Sequence, residues 1–177
     1  MFFLCGATVG ADMTITVLIS IPRQYLSVYA SNEQGGARLC AAYPIASALL
    51  GVGQVRGSQQ TPAGLHVVRA KIGAGLPINT VLVRRRPTGE IYSPALQRQY
   101  PKRDWILTRI VWLSGLEPGV NRWGAVDTMR RFIYIHGTPD SIPMGVPSSH
   151  GCIRMHNPAL LELFELLPVG AKVYIAE

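Results

Sequence analysis

The chain has 177 residues, 48% hydrophobic and only 15% charged, a balance that excludes a disordered polymer and is enough to bury one substantial core. Eighteen glycines and thirteen prolines favour a turn-rich β architecture over a helical bundle. The net charge of +7 suits a polyanionic neighbour, but the densest basic run, Arg84-Arg85-Arg86, has no aromatic platform or helix-turn-helix pattern beside it. No nucleic-acid partner is therefore expected, and the run is read as a strand end entering a turn.

In chain order, Met1 to Ala11 is apolar but lacks a basic leader and is soon broken by Asp12, so residues 1–12 are set apart and 13–177 read as a single domain. Met13 to Ile21 is too short to span a bilayer, and no integral membrane segment is expected. Thr14 to Ile21 and Gln24 to Ala30 read as strands around Pro22-Arg23. Ser31 to Gly36 is a turn, and Arg38 to Ile45 a third strand. Cys40 falls there as a small core residue. Pairing with Cys5 is the alternative, since three cysteines are too few for a disulfide framework.

Gly51 to Gly64, rich in Gly, Ser and Gln, reads as a surface loop. Leu65 to Ala70 and Asn79 to Arg84 follow as strands, and Pro87-Thr88-Gly89 is expected to turn the chain. Asp104 to Leu113 is a strong strand candidate, and Ser114 to Gly124 is loop-like. Phe132 to Ile135 is apolar on both faces, as in a strand buried between two layers, and delivers His136. Asn157 as N-cap and Pro158 at the first position open a helix. Its Leu160, Leu163, Phe164 and Leu167 form one apolar stripe, and Pro168 and Gly170 end it. Lys172 to Ile175 closes the chain as a strand. The sum is a mainly β domain, two packed sheets or a distorted barrel, with one C-terminal helix.

The chemistry concentrates at Ser149-His150-Gly151-Cys152-Ile153-Arg154, with His136-Gly137 upstream. Acyl transfer to a thiol needs a deprotonated sulfur, an imidazole held in one tautomer, and fixed donors for the oxyanion, each donor worth ~3 kcal/mol when lost. Cys152 supplies the thiol, expected as an activated thiolate. Gly151 lets the backbone approach a carbonyl closely, so the amides of Gly151 and Cys152 are the natural oxyanion donors. His136 and His150 are both candidate bases, because His150 lies two residues from the cysteine and can share its face. Arg154 suits a substrate carboxylate or, equally, braces the loop. Ser149 is a loop or substrate hydrogen-bonder. His66 and His156 read as ordinary polar residues. A metal reading rests on His150, Cys152 and His156, whose H-x-C-x3-H spacing is not a familiar zinc pattern. A buried, inert cysteine is the plain alternative, and it explains the whole cluster poorly.

The His136-Gly137 pair followed by the Ser149-to-Arg154 run resembles the active-site signature of the L,D-transpeptidase (YkuD-like) catalytic domain family. The resemblance extends to Tyr25-Leu26-Ser27-Val28-Tyr29, Gln60-Thr61-Pro62-Ala63-Gly64, Leu113 to Asn121 and Arg130 to Thr138, covering roughly residues 13 to 177. It implies an L,D-transpeptidase-like β-sandwich or distorted barrel with Cys152 as nucleophile and His136 as base. The ring would be oriented by the Gly137 carbonyl, with Asp140 the side-chain alternative. His150 keeps a structural or substrate-orienting role. The implied partners are peptidoglycan stem peptides, and carbapenem-type β-lactams as inhibitors. No metal or organic cofactor is implied, and the expected place is the periplasm or cell envelope. A hydrolytic L,D-carboxypeptidase or endopeptidase with the same nucleophile is the near alternative. A noncatalytic wall-binding domain, with targeting resting on the basic surface, is the distant one.

Overall fold

A computed structural model describes residues 13–177. The readings made on residues 1–12, including any pairing of Cys5, lie outside them. Strands β1 (Thr14–Ser20), β2 (Tyr25–Ser31) and β3 (Ala37–Pro44) form an antiparallel meander. Alternation drives it: Ile15, Val17 and Ile19 of β1 and Leu26, Val28 and Ala30 of β2 all point to one buried face. Cys40 is half-buried at the rim of that core. β4 (Gly64–Ile72), β5 (Thr80–Val83), β6 (Arg86–Ile91) and β7 (Leu107–Gly115) follow, with helix α1 (Pro94–Gln99) between the last two. A 3-10 turn at Gly124–Val126 precedes β8 (Tyr134–Thr138), β9 (Ile153–His156), helix α2 (Asn157–Leu166) and β10 (Lys172–Ala176).

The strands form one curled sheet in the order β3-β2-β1-β10-β4-β7-β5-β6, and β8 branches from β7 to carry β9. The expectation of a mainly β fold with a C-terminal helix therefore holds, as a half-barrel rather than two separate sheets. Leu160, Leu163, Phe164 and Leu167 bury the predicted stripe of α2 against the concave core. Burying such side chains stabilises by roughly 1.5–3 kcal/mol each, so α2 is held by packing rather than by propensity.

Three local readings are corrected. The chain turns at Arg84-Arg85, both at positive φ (48° and 67°), in a two-residue hairpin that pairs Val83 with Arg86. Pro87, Thr88 and Gly89 instead lie within β6, an edge strand, where a proline removes no interior ladder bond. α1 lies where no helix was expected; Ser93 caps it through Leu96 N–H. Asn157 is not the N-cap of α2, a position held by His156. Its side chain is a buried bolt, donating to Asn79 Oδ1 (2.9 Å) and the Thr138 carbonyl (3.1 Å) and accepting from Thr108 Oγ1 (2.6 Å). Thr108 is a β-branched residue at φ 68°, within a bulge of β7, and this bolt holds it there.

His66 is a structural residue, fully buried on β4. The Gly64 carbonyl at 2.9 Å can only accept, so Nδ1 carries the proton and Nε2 faces the Thr128 hydroxyl at 3.1 Å. Burial pushes its pKa from 6.5 down to about 4, against the upward pull of the Gly64 hydrogen bond and Glu117. Between those values the unfolded histidine binds the proton that the folded one refuses. Stability from this residue is therefore present above pH 6.5 and is lost as pH falls towards 4, by roughly 3 kcal/mol in all. Urea midpoints at pH 7, 5 and 4 should fall more steeply for the native chain than for His66→Gln. Equal slopes would remove His66 from the account.

Candidate active site

β8 and β9 run parallel, with Ile135 level with Ile153 and His136 level with Arg154. Residues level on neighbouring strands share a face. Ile135, Ile153 and Met155 therefore enter the core under α2, while Tyr134, His136, Arg154 and, one step before β9, Cys152 lie on the other face. The turn into β9 needs Gly151: its φ is 131°, and a Cβ there would come within 3.2 Å of Ile133 Cδ1 and 3.3 Å of the Gln60 carbonyl.

The Cys152 thiol receives the Tyr134 N–H at 3.4 Å and points its own hydrogen at the Phe132 carbonyl at 3.5 Å. Burial pushes its pKa up to about 12. The Tyr134 amide pulls it down, Asp104 raises it further, and Arg154 and Arg131 lower it. The resting sulfur is thus a protonated thiol, not the thiolate expected from sequence.

His136 is buried, and its Nδ1 lies 2.8 Å from the Gly137 carbonyl. That carbonyl only accepts, so the proton sits on Nδ1 and Nε2 is left with a bare lone pair. Burial holds the ring's pKa below the ordinary imidazole range, outweighing the upward pull of Gly137 and Asp104. Asp140 is exposed and does not bond the ring. Among the described residues no hydrogen bond joins His136 to Cys152, although they share the face. Gly137 admits no side chain: a Cβ would sit 2.6 Å from the Leu107 carbonyl and 2.1 Å from Asn157 Oδ1.

The residues flanking the thiol are mostly engaged with one another. Ser149 is buried, donating from Oγ to the Cys152 carbonyl (2.5 Å) and accepting the Gly151 N–H (3.1 Å). Thr61 Oγ1 donates to the Gly151 carbonyl (3.0 Å). Of the two candidate oxyanion amides, that of Gly151 is thus taken up inside the turn. Arg154 donates to Asp104 Oδ1 (2.7 Å) and the Ser148 carbonyl (2.9 Å), the bracing geometry of its two sequence readings. His150 is exposed, with Nδ1 3.7 Å from Asp104 Oδ2. His156 faces the Ile142 carbonyl (3.1 Å) and fastens the Thr138–Ser148 loop. His150, Cys152 and His156 therefore do not converge as ligands, and among the described residues no cluster of three or more His, Cys, Asp or Glu does.

Sequence reasoning missed several neighbours of the thiol. Asp104 connects Arg154 and His150 from fifty residues upstream of Arg154 and carries no motif. Arg131 stitches the Gly53–Gln60 loop beneath Gly151 through the carbonyls of Gly53, Gln54 and Gln60. Arg85, at the hairpin turn, donates to the Tyr134 hydroxyl (2.9 Å) and stacks over both Trp112 (4.6 Å) and Phe132 (4.9 Å). Arg131 and Arg154 donate to backbone carbonyls, to the hydroxyls of Ser58 and Ser148 and to Asp104, whereas Arg85 is half-exposed beside the thiol wall.

The model of the L,D-transpeptidase catalytic domain family matches residues 14–175. The chain is 30% identical over 106 residues to "Probable L,D-transpeptidase YbiS" of Escherichia coli (strain K12), covering 58% of this chain and 34% of that protein. It is 31% identical over 125 residues to "Probable L,D-transpeptidase ErfK/SrfK" of Salmonella typhimurium, covering 66% of this chain and 40% of that one. The chain thus spans well under half the length of these two relatives. Among solved structures, the helical cell shape determining protein Pgp2 of Campylobacter jejuni superposes with a TM-score of 0.57 at 19% identity, covering 94% of this chain and 49% of that one. L,D-transpeptidase 3 of Mycobacterium tuberculosis, in complex with a faropenem-derived adduct, gives 0.54 at 15% identity, covering 93% and 61%. At such identities the structures establish a shared fold.

Proposed function

The chain belongs to the L,D-transpeptidase catalytic domain family, and from that premise we propose that it is a cysteine acyltransferase acting on peptidoglycan stem peptides. The observation that carries the reading is the shared face of Cys152 and His136, with Nδ1 fixed on the Gly137 carbonyl so that Nε2 is the only basic nitrogen.

Resting thiol and resting imidazole are both neutral. The sulfur therefore gains its nucleophilicity only as the proton leaves, in step with attack. The Cys152 side chain turns from the Phe132 carbonyl, His136 Nε2 takes the thiol proton, and the C–S bond forms at the carbonyl that joins the diamino acid to the terminal D-residue. The amide of Cys152 meets the oxyanion. Collapse breaks the C–N bond, and the leaving amine takes its proton from His136. The thioester then passes its acyl group to a second amine, whose proton returns through His136 to the sulfur. Gly137, Gly151 and Ser149 hold the geometry. Arg154 and His150, tied to Asp104, frame the entrance, and Arg85, held by the Tyr134 hydroxyl and the Trp112 and Phe132 rings, has further guanidinium N–H groups for a substrate carboxylate.

A periplasmic or envelope location fits this reading, as does the cell-shape role of Pgp2. Among the described residues no helix is long and apolar enough to cross a membrane. Incubation with defined muropeptides, with and without an added D-amino acid, tests the proposal by mass spectrometry. Exchange of the terminal D-residue is expected; loss of that residue alone, whatever the acceptor, would mark a hydrolase. As with the faropenem adduct of the mycobacterial relative, a carbapenem should acylate Cys152. Opening of the strained lactam forms C–S, breaks C–N and retains every atom, so intact mass should rise by the whole drug and peptide mapping should place it on Cys152. An adduct elsewhere with Cys152 free would count against an accessible nucleophile.

A further inference from the structure

The outer face of the sheet that presents Cys152 continues into a cavity of about 600 Å³, lined by Arg69, Arg122, Trp123 and Arg130 among others. Three features set it apart from an ordinary basic surface. Among the described residues the three guanidinium groups make no ion pair or hydrogen bond, and the single carboxylate beside them leaves the space with a net positive charge. The one carboxylate in the wall, Asp127, is occupied by the backbone N–H groups of Trp123 (2.8 Å) and Arg130 (2.9 Å). Burial raises its pKa, but those hydrogen bonds, together with the Arg130 charge and the Met129 amide, outweigh burial and hold it below the usual carboxylate value. Those same bonds fasten the loop that carries two of the arginines.

The third feature is Trp123 itself. Its backbone lies at φ 72°, ψ 160°, a region that essentially only glycine occupies. The residue is 59% exposed, with the Arg122 guanidinium over the ring at 5.6 Å. A strained backbone that holds a large apolar ring out in water gains nothing for the fold. It is the arrangement of a platform for a ring-shaped ligand.

The cavity is connected to the thiol. Ser114 in its wall is two residues from Trp112 on the same face of β7. The Trp112 indole N–H donates to the carbonyl of Met129, another wall residue (3.2 Å), and its ring packs edge-on against Tyr134, whose amide holds Cys152 Sγ. Strand spacings place Ser114 and Cys152 roughly 12 Å apart, the reach of three or four extended residues.

We infer that this cavity binds the saccharide-proximal, carboxylate-bearing part of the strand whose peptide reacts at Cys152: a pyranose ring on Trp123, and carboxylate oxygens on Arg122, Arg130 and Arg69. The identity of the ligand rests on the proposed function; the presence of a binding site does not. The site makes the enzyme a reader of the glycan attachment as well as of the peptide, and it places recognition outside the reacting residues.

The test titrates the native chain with a disaccharide-linked tetrapeptide and with the same tetrapeptide lacking sugar, following tryptophan fluorescence. The saccharide-bearing ligand should bind about tenfold tighter. Trp123→Ala should abolish that preference while leaving turnover of the free tetrapeptide unchanged, whereas Arg122→Gln/Arg130→Gln should weaken binding of both ligands, since both carry the carboxylates those arginines hold. Equal binding of the two ligands, a preference that survives Trp123→Ala, or undiminished binding by Arg122→Gln/Arg130→Gln would overturn the inference. So would a single-stranded oligonucleotide of equal charge that binds as tightly at the same salt, since it would mark a general polyanion surface. If the sugar preference is present but neither ligand is turned over, the catalytic reading fails and the binding site stands.

Discussion

Cys152→Ala should lose acyl transfer by roughly 10⁴-fold or more, because the covalent route has no second nucleophile to pass through. Ser149 is the nearest hydroxyl in sequence, but it is buried and bonded to the Cys152 carbonyl and the Gly151 amide, so it cannot substitute. The fold should survive. The sulfur only borders the small apolar cluster of Leu82, Ile110 and Tyr134, and its removal should cost about 1 kcal/mol. Product analysis by mass spectrometry beside a thermal melt checks both halves. Retained turnover in a folded variant would sink the mechanism. Lost turnover in an unfolded one would say nothing of it, and there Cys152→Ser, closer in shape, decides.

His136→Gln should lower the acylation rate by roughly 10²–10⁴-fold, the usual worth of a positioned base. The pH profile separates this from a merely structural loss. An imidazole must be neutral to take the thiol proton, so the native rate falls on the acid side of the His136 pKa. Burial places that pKa below the ordinary range, which leaves the native rate flat through neutrality, with its acid limb below pH 6.5. In His136→Gln that limb should vanish, and the rate should instead climb with pH towards the Cys152 pKa of about 12. His150→Ala, which alters an exposed ring beside Asp104, should keep the native limb. The opposite pattern, a limb lost with His150 and kept without His136, would reassign the base.

Much of the fold could be read from periodicity. β1 and β2 alternate cleanly, α2 repeats at helical spacing, and both report a single buried side. The reading failed where residue type and local conformation part company. Arg84 and Arg85 carry no turn signature yet adopt positive φ, while the Pro-Thr-Gly that does carry one lies in an edge strand. Asn157 looked like a cap because caps are commonly asparagine; its buried partners on Asn79, Thr108 and Thr138 come from three distant segments. The candidate site divides in the same way. Cys152, His136 and the Gly137 carbonyl lie within one short stretch and were visible as a signature. Asp104, Arg131, Arg85 and Trp112 reach it through folding alone. The charge state of the thiol could not be read at all, because it depends on burial and on charges contributed from elsewhere.

The place of β10 has a consequence for how the molecule comes into being. Its residues 172–176 lie between β1, to which they pair in parallel, and β4, and among the described residues they are the only strand joining the β1–β3 meander to the rest of the sheet. On a ribosome, that meander emerges ahead of the rest of the sheet and waits for partners more than 150 residues downstream. Pairing at such separation carries a large loop-closure cost and slows folding. The ladder of this domain therefore stays interrupted between β1 and β4 until residues 172–176 have emerged. A cut or stall ahead of residue 172 leaves β1 and β4 each with a bare edge where β10 should lie, and only the isolated β-bridges of Ala46 to Arg154 and Ala48 to Ser149 to pair the two sides among the described residues.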